Sequence, residues 1–339
     1  MKAELLPVGK LSPKILSELL EKYSRADRRI LVGPYIGEDA AAVDMGEKAL
    51  VMTTDPITFA TDEIGHYSVM VNANDIATTG ADPMWFTATI LLPEAEGNRE
   101  MAEEIFRQIH AACEKLGVFL VGGHTEITFG LARPIVVGQM IGEVMKKGLI
   151  RTGGAMPGDA ILMSKGLCVE GTAIMAREKG DDLLKAGTSA EIVDRAKGFL
   201  YDPGISIVEE ARLACRVAQV HAMHDITEGG LANGLMEIAV AAGVQIEVDE
   251  DRIPLYEESR VLCEALGLNP MGVIGSGSLL IASEPSEAEK ILAAGIEQGL
   301  AIARIGRVKR AGAPAVSLIT REGQTPLSPF ARDEILKIF

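Results

Sequence analysis

Four aspartates in this chain sit where a carboxylate can do chemistry: Asp39 in GEDAAAV, Asp55 in VMTTDPIT, Asp75 in NANDIATTGADP and Asp225 in HDITEGGL. Each lies at the edge of an apolar run and beside small or turn-forming residues, so an element end could hold it while its side chain projects into a cleft. If the four converge, they repel one another. Two like charges about 4 Å apart cost roughly 4 kcal/mol at an effective dielectric near 20. Such a cluster persists only with protons or cations. Magnesium takes oxygen ligands, keeps several waters and bridges carboxylates to substrate phosphates, so scattered aspartates suit a magnesium-bound nucleotide better than an all-protein metal cage. The competing reading makes each aspartate a turn or helix-cap residue.

Two glycine-rich segments supply the second ingredient. VGGHTE contains Gly122, Gly123, His124 and Thr125, and TEGGL contains Thr227, Gly229 and Gly230. Read as turns, both let backbone N–H groups approach a phosphate, and a helix starting just after a turn adds its positive end. Neither fits a known nucleotide loop. The chain has no GxxxxGK[ST], and GVIGSGS lacks the glycines of the dinucleotide fingerprint. His124 and His224 stand beside these segments and are candidates for catalysis, as is Lys165 in MSKGL.

The elements that must position these residues alternate between strand and helix, which favours α/β layers of sheet covered by helices. Met101, Ile105, Ile109, Ala112 and Leu116 recur at helical spacing, with Gly117 where a C-terminal cap belongs. Ala49 to Thr53, Trp85 to Leu91, Val118 to Val121, Pro134 to Ile141 and Ala160 to Met163 read as strands. The linker-like KKGLIRTGGAMPGD stretch divides the chain into residues 1–150 and 151–339.

Bulk properties narrow the partners. The 339 residues are 47% hydrophobic, enough for a substantial core. A formal net charge of -15 opposes non-specific nucleic-acid binding. No stretch reads as a membrane span or signal peptide, and the four cysteines lie far apart with no CxxC pair, so a cytoplasmic protein without disulfides is expected.

The order GEDAAAV, TTDPIT, NDIATTGADP, VGGHTE, GDAILMSKG, HDITEGGL, SGSLLIA resembles the superfamily of aminoimidazole-ribonucleotide (AIR) synthetase (PurM), the hydrogenase-maturation protein HypE, thiamine-monophosphate kinase (ThiL) and selenophosphate synthetase. The resemblance implies a PurM-like two-domain architecture and a homodimer whose N-terminal domains pair into a shared β-barrel. It implies that Asp39, Asp55, Asp75 and Asp225 hold Mg2+ and ATP, that Asn74 belongs to that site, and that Gly122, Gly123, His124 and Thr125 lie near the phosphates. The shared chemistry is ATP-dependent activation or phosphorylation of a small or protein-borne acceptor. HypE carries its carbamoyl group on a terminal cysteine, whereas this sequence reads Leu336, Lys337, Ile338, Phe339. The expectation is therefore a HypE-like enzyme working by another route. The alternatives are a non-catalytic ATP-binding regulatory dimer and a metal-dependent phosphate ester hydrolase.

Overall fold

The computed structural model describes residue 6 and residues 9–58 and 62–339. The opening stretch read for targeting signals lies partly outside these residues. The first half contains α1 (Pro13–Tyr23), β1 (Ile30–Val32), β2 (Ala41–Asp44), β3 (Lys48–Ile57), α2 (Ile64–Thr78), β4 (Asp82–Pro93), α3 (Arg99–Leu116), β5 (Phe119–Thr128) and β6 (Ile135–Met145). The second contains β7 (Ala160–Ser164), α4 (Val169–Glu178), α5 (Gly180–Lys185), α6 (Ala190–Lys197), α7 (Val208–Val217), β8 (Ala222–Asp225), α8 (Gly230–Ala242), β9 (Val244–Asp249), α9 (Glu257–Leu266), β10 (Leu279–Ser283), α10 (Pro285–Gln298), β11 (Ile302–Ala311), β12 (Ala315–Thr320) and β13 (Gly323–Pro326). The mixed α/β expectation is met, and each strand read from the sequence occurs, most of them longer than expected.

Two sheets organise the chain. The first has the order β1-β2-β3-β6-β4-β5, the second β13-β12-β9-β11-β7-β10-β8. Every pairing is antiparallel except β4 with β5 and β12 with β9. Alternating burial along β3, β4 and β6 shows one face of the first sheet packed and the other freer. Helix α3 forms where the periodicity placed it. Asn98 caps its N-terminus by accepting from Met101 N–H, and Gly117 ends it in the left-handed conformation.

Helix α2 is the pivot of the molecule. Fourteen of its residues are buried, because it packs against β3 and β6 of the first sheet and against β8 and α7 of the second half. A helix covered on all sides needs no amphipathic stripe. It lies close on β6 because that strand carries glycines. A Cβ at Gly142 would come within 2.5 Å of the Ile76 side chain, and one at Gly138 within 2.6 Å of Ser68 Oγ. Buried polar residues on it, Asn72, Asn74 and Asp75 among them, are therefore enclosed by protein and need partners there.

One segment folds otherwise than the sequence suggested. VGGHTE is the middle of β5, an edge strand, not a turn. The two glycines accommodate a bulge. Phe86 pairs with Leu120 and Thr87 with Gly122, leaving Val121 unmatched, and a Cβ at Gly123 would lie 2.1 Å from the carbonyl oxygen of Ala88. Close backbone approach between strands, not a chain reversal, explains this pair.

Candidate functional site

The four aspartates reach one place from four elements. Asp39 precedes β2, Asp55 lies on β3, Asp75 on α2 and Asp225 ends β8. Asp75 and Asp225 are buried, and Asp39 and Asp55 are half-buried. Their mutual influence marks the convergence. Burial pushes the Asp75 carboxyl well above the ordinary carboxylate range, and the charges of Asp55, Asp225 and Asp39 add to it. Burial likewise pushes Asp225 up to about 8, with Asp39 and Asp55 raising it and His224 and Lys10 opposing.

Neighbouring groups hold these carboxyls in place. The Thr53 hydroxyl lies 2.7 Å from Asp75 Oδ2 and 3.2 Å from the Asp39 carbonyl oxygen. Asp55 N–H donates to Asn72 Oδ1 at 3.0 Å. His224 sits between two acids, with Nδ1 2.8 Å from Asp39 Oδ1 and Nε2 2.8 Å from Glu237 Oε2. Burial disfavours its charge, but Asp39 and Glu237 outweigh burial and hold the ring well above its ordinary range. With a carboxylate on each ring nitrogen His224 positions Asp39, and Asp39, His224 and Asp225 lie close enough to hold an ion.

Lys10 completes the cluster. Its Nζ lies 3.4 Å from Thr227 Oγ1. Desolvation works against its charge, yet Glu237, Glu228, Asp55 and Asp225 together raise its pKa. Sequence reading missed Lys10 and Glu237. Nothing marks a lysine in an N-terminal segment, and Glu237 reads as an ordinary polar position of α8; only the folded topology brings either to the aspartates.

The donor set suits a hard cation. The four aspartates offer carboxylate oxygens, and Asp225 Oδ2 is buried with no hydrogen-bond partner among the described residues. Asp39, Asp55, Asp75 and Asp225 are the residues that would hold Mg2+.

The other candidates fall elsewhere. Asn74 donates from Nδ2 to the Ile205 carbonyl at 2.8 Å and accepts at Oδ1 from Ile207 N–H at 2.9 Å, tying α2 to the second half. Lys165 is buried, 2.8 Å from Glu210, and donates to the carbonyls of Ser206 and Gly277. Those bonds make it a staple between loops. Gly122, Gly123, His124 and Thr125 lie exposed on β5, with His124 Nε2 3.0 Å from Glu126. TEGGL does open a helix as expected. Gly229 N–H donates to Asp333 Oδ2 at 2.7 Å, however, so a carboxylate already occupies the position foreseen for a phosphate.

Comparison with known proteins decides the family. Residues 37–144 match the model of the AIR synthase related protein N-terminal domain and residues 156–319 that of its C-terminal domain. The chain belongs to the AIR synthase related family. Among its relatives in that family, it is 31% identical over 300 residues to the carbamoyl dehydratase HypE of Cupriavidus necator, covering 85% of this chain and 81% of that one. It is 30% identical over 260 residues to a putative hydrogenase expression/formation protein of Methanocaldococcus jannaschii, covering 75% and 74%. A crystal structure of the hydrogenase maturation protein HypE in complex with ATP superposes with a TM-score of 0.72 at 26% identity, over 97% of each chain. The family's AIR synthase related fold is thus the fold seen here. No described helix is long and apolar enough to cross a membrane, and all four cysteines are free.

Proposed function

We propose that this chain is a magnesium-dependent, ATP-binding enzyme that activates or phosphorylates a small or protein-borne acceptor. The observation that carries the reading is the convergence of Asp39, Asp55, Asp75 and Asp225, two of them buried and one with an unpartnered oxygen. A HypE of the same family, crystallised with ATP, supports the nucleotide. When bound, Mg2+ would neutralise the carboxylates and orient the phosphates. The protein's own part is positional: Thr53 and Asn72 fix the first-half carboxylates, His224 fixes Asp39 and Lys10 offers a cation beside them.

The working unit in this proposal is a homodimer. Among the described residues, strand β5 ends the first sheet with one side of its backbone unpaired, and Phe119, Val121, Ile127 and Phe129 are 67%, 57%, 58% and 84% exposed. An exposed apolar edge of this kind calls for a partner strand or cover.

Titration calorimetry with Mg-ATP tests the nucleotide reading. The wild type is expected to bind, and Asp39→Asn with Asp75→Asn to lose at least a hundredfold in affinity. Equal binding by both proteins refutes the site. A metabolite screen for compounds that accelerate ADP release then tests catalysis, and ATP binding without turnover under any acceptor favours the regulatory dimer. Light scattering during gel filtration reads the oligomeric state, and a monomer at micromolar concentration refutes the dimer.

A further inference from the structure

The four aspartates do not form one uniform cluster. Asp39, His224 and Asp225 each offer a ligand atom, and the three atoms lie within 4.8 Å of one another. Among the described residues, no other three of His, Cys, Asp and Glu converge as closely. Asp55 and Asp75 fall outside the trio, so the cluster has a part that carries a nitrogen and a part made of oxygens alone. The trio is also shut away from bulk water. The side chains of His224 and Asp39 are 3% and 9% exposed, and Asp225 is 1% exposed.

The spacing is that of ligands as well as of an ion pair. His224 Nδ1 lies 2.8 Å from Asp39 Oδ1 and 3.0 Å from Oδ2. Neighbouring donors on a six-coordinate ion with bonds of about 2.1 Å are about 3.0 Å apart, and opposite donors about 4.2 Å. A divalent ion can therefore replace the proton between Nδ1 and Asp39 with little movement of either. On the far side of the ring, Nε2 is 2.8 Å from Glu237 Oε2. That carboxylate keeps the remaining N–H and turns the Nδ1 lone pair toward the trio, as outer carboxylates do for metal-bound imidazoles. Asp225 Oδ2 is an independent sign of a ligand, because a carboxylate oxygen buried without a hydrogen-bond partner is costly until something binds it.

We propose that His224 is itself a metal ligand, and that Asp39, His224 and Asp225 hold a divalent ion of the borderline class, Mn2+ through Zn2+, in preference to Mg2+. An imidazole nitrogen suits those ions, whereas Mg2+ keeps to oxygen ligands and to its waters. Asp55 and Asp75 are left for the magnesium that accompanies the nucleotide. The ion shares the site proposed for ATP, so its part in catalysis rests on that reading; its binding does not.

The test uses the full chain without nucleotide, with Mn2+ and Mg2+ as probes. Calorimetry is expected to show Mn2+ bound at least about tenfold more tightly than Mg2+. Electron spin-echo envelope modulation of the bound Mn2+ is expected to show the nitrogen coupling of a directly coordinated imidazole. His124→Gln, which removes the exposed His124–Glu126 pair, leaves that coupling in place, whereas His224→Gln abolishes it together with the preference for Mn2+. Asp225→Asn carries no charge to bury and so folds readily; it weakens Mn2+ binding by at least about tenfold, and Glu237→Gln keeps the coupling while weakening binding about tenfold. Equal affinity for the two ions, bound Mn2+ without nitrogen coupling, or a coupling that survives in His224→Gln overturns the proposal. If the wild type binds Mg-ATP alongside any of these results, the nucleotide site stands and only the histidine ligand falls. Nitrogen-coupled Mn2+ in a protein that fails to bind Mg-ATP upholds the histidine ligand and refutes the nucleotide reading.

Discussion

Replacing Asp225 by asparagine should make the nucleotide-free protein more stable and the nucleotide site useless. The folded Asp225 carboxyl binds its proton more tightly than the unfolded one, about 8 against 3.8, so its contribution to stability is complete below pH 3.8 and is lost as pH rises toward 8. A tenfold difference in proton affinity is worth about 1.36 kcal/mol, so ionisation of the unfolded Asp225 removes about 2 kcal/mol of stability by pH 5.5 and about 5 kcal/mol by pH 7.5. Asparagine mimics the protonated acid in shape and carries no charge at either pH. With an unfolding entropy of about 2.1 cal/mol/K per residue, 1 kcal/mol in a chain of this size moves Tm by about 1.4 °C. Differential scanning calorimetry of the metal-free variant should therefore show a gain of up to about 3 °C at pH 5.5 and about 7 °C at pH 7.5. The wild type should gain further stability from Mg-ATP and the variant should not. A variant that melts with the wild type at both pH values, or that keeps the Mg-ATP gain, would refute the account of a cluster held in repulsion for a cation.

Two further variants probe the supports. Asn74→Ala leaves the Ile205 carbonyl and Ile207 N–H without their side-chain partners, and urea denaturation should show a loss of about 3 kcal/mol. Lys165→Met strands Glu210 in the interior and should cost about 3 to 5 kcal/mol, with much of the loss recovered when Glu210→Gln is added; an unrecovered loss would show that the carbonyl contacts of Lys165 matter more than the ion pair.

The aspartates were legible because a carboxylate beside alanine, glycine and threonine at the end of an apolar run is costly unless something uses it. Their convergence was not legible, since it depends on α2 lying between the two sheets. VGGHTE misled because a glycine pair at a β-bulge and a glycine pair at a turn look alike in sequence; the difference is the Ala88 carbonyl across the ladder. His224 was picked out for its place beside Asp225, but the acids that charge it, Asp39 and Glu237, come from a loop and from the flank of α8.

The bond from His224 to Asp39 spans 185 positions, and that from Asn74 to Ile207 spans 133. During synthesis, Asp39, Asp55 and Asp75 emerge well before His224. Until β8 is made and docked, Asp39 has no imidazolium beside it, and Asn74 has no backbone to hold until the segment through Ile207 has been made. The proposed nucleotide site is thus a late product of translation, and a chain stopped before residue 224 carries three of its acids without the fourth or the histidine that positions Asp39.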